Sequence, residues 1–193
     1  MSKIYENRIK NNKPKKNSRY HQGYVNPKWT TKLFQSVKGE PIIYRSGLEL
    51  QFIQFCENNP KIKQWASEPI AIRYTCRLDN NEHDYYPDYV IETYDGHKII
   101  VEVKPYNQTI KPGALDSRWL KESWIKNCDK WKAANEFAHR NNAKFIIVTE
   151  KFPFLTMGLD VVAQTSSPYQ CFSTIEYITL ALAVQPLEII SLA

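Results

Sequence analysis

Nothing in these 193 residues is apolar for long enough to cross a bilayer, since no run approaches the ~20 residues a spanning helix needs. The first residues are polar and basic and lack the apolar core of a secretory leader, so no export signal is expected. The expected location is the cytoplasm. The four cysteines, Cys56, Cys76, Cys128 and Cys171, form no C-x-x-C pair. That argues against a zinc site or a disulfide framework and points to reduced thiols. The histidines show no ligand spacing, and no internal repeat is visible. Acidic residues are almost missing from residues 1–38, which hold ten Lys/Arg against Glu6 alone. Basic residues are missing from 152–193, which hold only Asp160, Glu176 and Glu188 as charges. Residues 39–151 balance sixteen basic against sixteen acidic side chains, so the positive charge belongs to the N-terminal arm.

The balanced middle is where regular structure is expected. Residues 44–59 read as a helix, with Leu48, Phe52, Phe55 and Cys56 at spacings of three and four, Ser46 as N-cap and Glu49 three residues later. Residues 70–76, 84–94 and 97–105 read as three strands of an antiparallel meander, the last two joined at Asp95-Gly96. A second helix is expected over 118–141, with Leu120, Trp124, Cys128, Trp131, Ala134, Asn135 and Ala138 on one face. The β-branched run 143–150 then fits a parallel strand after a helical crossover. The order is α-β-β-β-α-β. Three regions follow: a basic arm over 1–38, a core over 39–153 and an extension over 154–193 to which no chemistry is assigned.

One strand carries charge that a core strand does not need. Alternate residues of a strand share a face, so Glu102 and Lys104 point the same way while Val101 and Val103 point to the other. The hairpin brings Asp88 back toward that face. Adjacent carboxylates raise one another's pKa unless a cation lies between them. A hard divalent ion answers this, and Mg²⁺ takes one or two carboxylates and completes its shell with water and phosphate oxygens. Asp88, Glu102 and the carbonyl of Val103 are its candidate ligands, with Lys104 beside them. Buried charge needs partners, and the flanking Ile99, Ile100, Val101 and Val103 argue that this strand is buried.

Pro87-Asp88, thirteen residues, then Glu102-Val103-Lys104, on this order of elements, resembles the PD-(D/E)xK nuclease superfamily. The helical Glu49 in "YRSGLE", with "EVKP" and "KFIIVTE", resembles a narrower group. It takes in the nuclease subunit of heteromeric bacterial transposases and the head completion nucleases of T-even-type tailed phages. The resemblance covers about residues 40–151. It implies an α/β, restriction-endonuclease-like core, a mixed sheet flanked by helices. It also implies a Mg²⁺-dependent DNA endonuclease, with Mn²⁺ as a possible substitute, that cuts double-stranded DNA during head maturation before tail joining. Glu49, Asp88, Glu102 and Lys104 are then the catalytic set, Glu49 being able to hold a second ion. Phage head, portal or neck proteins are the implied partners; no membrane and no small-molecule cofactor is implied.

Plainer readings stand beside these. Glu49 also suits a capping box, and both roles can coexist. Arg45 either anchors a phosphate or pairs with an acid. Gln108 and Lys111 either touch DNA or sit in a solvated loop. Lys126 and Lys130, a helical turn apart, either face the DNA backbone or form an ordinary solvated helix face. Lys13, Lys15, Lys16 and Arg19 of the arm suit sequence-independent, salt-sensitive phosphate contacts or a solubility tail. No base-reading motif is visible, so little sequence preference is expected. Two other functions remain open: a DNA-binding structural protein of the head vertex on the same fold, and a transposase nuclease subunit.

Overall fold

The computed structural model describes residues 14, 18–26, 28–34 and 42–151. Among them the chain order is β1 (Gly23–Tyr24), β2 (Ile43–Tyr44), α1 (Gly47–Asn58), β3 (Ile62–Ser67), β4 (Ile72–Thr75), β5 (Glu82–Tyr85), β6 (Tyr89–Thr93), β7 (Lys98–Val103), a 3-10 turn (Tyr106–Gln108), α2 (Arg118–Arg140) and β8 (Lys144–Val148). The central sheet runs β3-β6-β7-β8. Its first three strands are antiparallel, while β7 and β8 are parallel, with Glu102 opposite Ile147. A parallel neighbour cannot be reached by a tight turn, and α2 supplies the crossover. The fold is therefore a mixed sheet flanked by helices, as in restriction-endonuclease-like proteins.

Local chemistry explains where the elements begin and turn. Ser46 is extended at φ −153°, and its hydroxyl accepts the Glu49 N–H at 3.1 Å, which starts α1. Ser117 does the same for Leu120 at the head of α2. Between β6 and β7 the chain reverses at Gly96, whose φ of +86° is open to glycine and strained for other residues.

The period of two along β7 divides the interior into two cores. Ile99, Val101 and Val103 join Phe52, Ile53 and Cys56 of α1, with Trp65, Tyr89 and Ile91. Ile100 joins Trp124, Cys128, Trp131, Ala134 and Ala138 of α2, with Tyr85 of β5 and Phe145. Trp65 and Trp131 are fully buried, whereas Trp29 and Trp119 are exposed. Leu120, expected on the apolar face of α2, is also exposed, because the packed stripe begins one turn later at Trp124.

The expected meander is corrected in two places. The strand at 70–76 is present as β4, but it pairs with β5 in a hairpin of its own rather than in the central sheet. Its place beside β6 is taken by β3, where Trp65 lies opposite Ile91. The single strand expected over 84–94 breaks between Tyr85 and Tyr89. Pro87 has no N–H to continue a ladder, so the chain leaves one sheet there and enters another. A hairpin is thus inserted into the α-β-β-β-α-β order.

Part of the basic arm runs along the domain. β1 pairs with β2, Val25 is buried in the α1-side core, and Leu33 bridges to Trp65 on the outer edge of β3. Glu57 of α1 accepts from Thr31, from the Lys32 N–H and from the Trp65 indole, tying these segments together. Lys13, Lys15, Lys16 and residues 154–193 lie outside the described residues.

Candidate active site

Asp88 stands just before β6 and Glu102 one residue before the end of β7, so antiparallel pairing places both at one end of the sheet. The Val103 N–H donates to Asp88 Oδ2 at 2.7 Å, a direct clamp between the two strands. The side chain of Glu102 is buried, with Lys104 Nζ on its Oε1 at 2.7 Å. The same charge-bearing end receives α1, whose first turn carries Glu49. Its Oε2 accepts the Arg45 N–H at 2.8 Å and its Oε1 accepts the Ser46 hydroxyl at 3.0 Å. Glu49 therefore folds back on the α1 cap, taking the Arg45 N–H where a capping box would take that of Ser46, and also lies within electrostatic reach of Lys104 and Asp88.

The protonation preferences of the group report crowded negative charge. Desolvation first, then the Glu102 carboxylate, pushes the Asp88 carboxyl well above the usual carboxylate range. One edge of Asp88 keeps some solvent, yet protein packs closely around the rest of it. Burial also raises Glu49, against its hydrogen bonds and Arg45 and Lys104. Desolvation alone would lower Lys104, but Glu102 and then Asp88 outweigh it, and the ammonium holds its proton well above the ordinary lysine value. Three carboxyl groups thus crowd around the Lys104 ammonium, and Asp88 and Glu49 stay raised despite the nearby cations. All the donors are hard oxygens, which is the set a hard divalent cation requires. On this chemistry the residues fit such an ion.

The family described as TnsA-like endonuclease N terminal matches residues 59–150, from the end of α1 through β8. The head completion nuclease of Enterobacteria phage T4 is 34% identical over 134 residues, spanning 64% of this chain and 89% of that protein. The chain belongs to the head completion nuclease family. It is a nuclease, and Asp88, Glu102 and Lys104 lie within the residues that the endonuclease family matches, while Glu49 lies upstream of them.

The other sequence-derived candidates differ in exposure and in partners. Arg45 Nη1 pairs with Glu68 Oε1 at 2.7 Å, so its side chain is engaged by an acid. Gln108 is exposed in the 3-10 turn and Lys111 is exposed in the loop after it. Lys126 is exposed on α2, and Arg19 is exposed in the arm. Lys130 differs from an ordinary solvated helix residue. It is partly buried, its Nζ lies 5.7 Å from the centre of the Tyr85 ring, and it feels Glu102, Lys104 and Asp88. Desolvation lowers its pKa, and the two acids partly restore it.

Two contributors escaped the sequence reading. The Tyr85 hydroxyl donates to Glu102 Oε2 at 2.6 Å inside the protein. Glu68, in the left-handed region at φ +44°, donates its N–H to the Asp88 carbonyl at 2.9 Å while its side chain holds Arg45. Nothing in "ASEPI" or "DYYPD" separates these roles from a turn and a core aromatic. Away from the centre, Cys76, Asp79 and His83 bring donor atoms within 4.8 Å of one another at the β4–β5 tip. Asp79 is there already bonded to His83 Nε2 at 2.9 Å and to the Asn81 N–H at 3.1 Å, a tip held by its own hydrogen bonds.

Proposed function

We propose that this nuclease is a divalent-metal-dependent DNA endonuclease that uses Mg²⁺, with Mn²⁺ as a substitute, and cuts double-stranded DNA with little sequence preference. The observation that carries the proposal is the meeting of Glu49, Asp88, Glu102 and Lys104 from α1, β6 and β7 at one end of the sheet. Asp88 and Glu102 would hold the ion, with the Val103 carbonyl beside them and Glu49 completing the acidic group. When bound, the cation supplies Lewis-acid chemistry, neutralising phosphate charge and acidifying water. Lys104 keeps its proton and sets an ammonium beside Glu102, where it can orient water and stabilise charge developing on a phosphate. Glu102 is buried while Lys104 is only partly so, which sets the ammonium at a half-shielded edge where its attraction to charge is stronger than in open water. The exposed Gln108, Lys111 and Lys126, with partly buried Lys130 and the basic arm, would supply backbone contacts that weaken steeply with salt.

The biological setting we propose is phage head completion, with the packaged DNA trimmed before heads and tails join. The relative's name and the 89% of its length that is matched support this setting. The protein would then work in the host cytoplasm, against head, portal or neck proteins, and could remain with the virion head. The TnsA-like match supports a second setting, a transposase subunit cutting element ends beside a recombinase.

The test incubates linear and supercoiled DNA with wild type, Asp88→Ala and Lys104→Ala in Mg²⁺, Mn²⁺ or EDTA. Metal-dependent cutting by wild type alone is the expected result. Binding without cutting by all three would replace the enzyme with a DNA-binding structural protein of the head vertex.

A further inference from the structure

Glu102 accepts one bond on each carboxylate oxygen. Lys104 Nζ takes Oε1 at 2.7 Å and the Tyr85 hydroxyl takes Oε2 at 2.6 Å. The tyrosine does not come from the central sheet. It is the last residue of β5, paired with Ile72, in the hairpin inserted between β3 and β6. Its ring is buried with Ile72, Ile100 and Trp124, and Lys130 of α2 lies over it. A hydroxyl held this firmly on a buried carboxylate limits rotation of that carboxylate and stabilises its charge.

We propose that Tyr85 is a positioning residue for Glu102, and that the β4–β5 hairpin serves to bring this hydroxyl to the metal-binding carboxylate. The inference rests on the nuclease reading above and adds to it an outer partner supplied by an element outside the sheet. The lysine of the site lies two residues from Glu102, just past the end of β7, whereas Tyr85 lies seventeen residues away and beyond a proline break. Displacement of the hairpin is thereby linked to the geometry of the ion site.

Tyr85→Phe removes the hydroxyl and keeps the ring, so packing with Ile100 and Trp124 is retained. The experiment titrates the intact chain with Ca²⁺ and Mg²⁺ by calorimetry, and measures cleavage of linear DNA over a range of Mg²⁺ concentrations. Partners in this outer position commonly change metal affinity or activity by about 10–100-fold. The expected result is that the Mg²⁺ concentration for half-maximal cleavage and the Ca²⁺ dissociation constant both rise by about 10-fold or more. The melting temperature measured in EDTA should stay close to wild type. A purely structural residue would lower the melting temperature and leave the metal dependence alone, and that pattern overturns the proposal. A second measurement needs no variant. In wild type labelled at tyrosine Cζ, one resonance of the twelve tyrosines should shift with Ca²⁺ in step with the binding heat. The absence of such a shift also overturns the assignment. If wild type neither binds divalent ions nor cuts DNA, the nuclease mechanism falls together with the inference. Wild-type binding with an unchanged Tyr85→Phe removes the role of Tyr85 alone.

Discussion

Replacing Asp88 by asparagine should make the metal-free protein more stable while abolishing its activity. The side-chain amide oxygen can still accept the Val103 N–H that Asp88 Oδ2 accepts at 2.7 Å, so the strand clamp survives. What is lost is a negative charge that desolvation and Glu102 both disfavour. Lys104 keeps Glu102 as its direct partner. Removing an unfavourable charge from a functional site commonly stabilises by about 0.5–2 kcal/mol. For a chain of this size that is a rise in melting temperature of about 1–8 °C. The sign with pH follows from linkage. The folded pKa of Asp88 lies above its ordinary 3.8, so its stabilising form is the protonated one. That contribution is complete below the unfolded value and is lost as pH rises through the raised folded value. The advantage of Asp88→Asn should therefore be small in acid, grow with pH and level off once the pH has passed the raised folded value. Thermal melts in EDTA across pH 4–8 measure it. Adding Mg²⁺ should then stabilise wild type selectively, by about 2.7 kcal/mol at one hundred times the dissociation constant. An asparagine variant that is less stable than wild type in EDTA at pH 8, or equally displaced at every pH, would refute the argument.

Lys104→Ala strips the buried Glu102 of its cation, and leaving a buried charge unpaired costs about 3 kcal/mol, visible as a lower urea midpoint alongside lost cleavage. Ser46→Ala removes both the α1 cap and the hydroxyl that holds Glu49. It should cost about 1 kcal/mol and raise the Mg²⁺ concentration needed for cleavage. Trp131→Ala empties a fully buried site on α2 and should cost about 3–5 kcal/mol by denaturant unfolding. Binding of non-cleaved DNA in Ca²⁺ should fall steeply between 50 and 200 mM salt by about 10³-fold or more if six or more phosphates are contacted.

Much of this architecture was legible in the chain because it is written in local periods. Ser46 with Glu49 announced α1, Asp95-Gly96 announced the β6–β7 turn, and the spacing from Trp124 to Ala138 announced the buried stripe of α2. The charges of Glu102 and Lys104 on one face of an apolar strand were legible for the same reason. The division of 70–94 was not. Residues 62–67 mix buried Trp65 and Ala66 with exposed or half-exposed Lys63 and Gln64, a pattern that does not say which sheet the strand joins. Pairing partner is a long-range choice, and β3 rather than β4 was selected by its fit beside β6 and against α1.

The order of residues decided which groups exist and, through the periods of helix and strand, which way each of them faces. It placed three acids and an amine on three elements and left the positive charge to the arm. Only the assembled fold decided that these groups meet, because antiparallel pairing of β6 with β7 sets Asp88 beside Val103 and packing of α1 brings Glu49 to the same end. Only the fold chose Tyr85 for the second oxygen of Glu102, since distance through space, unlike distance along the chain, is set by which surfaces bury one another.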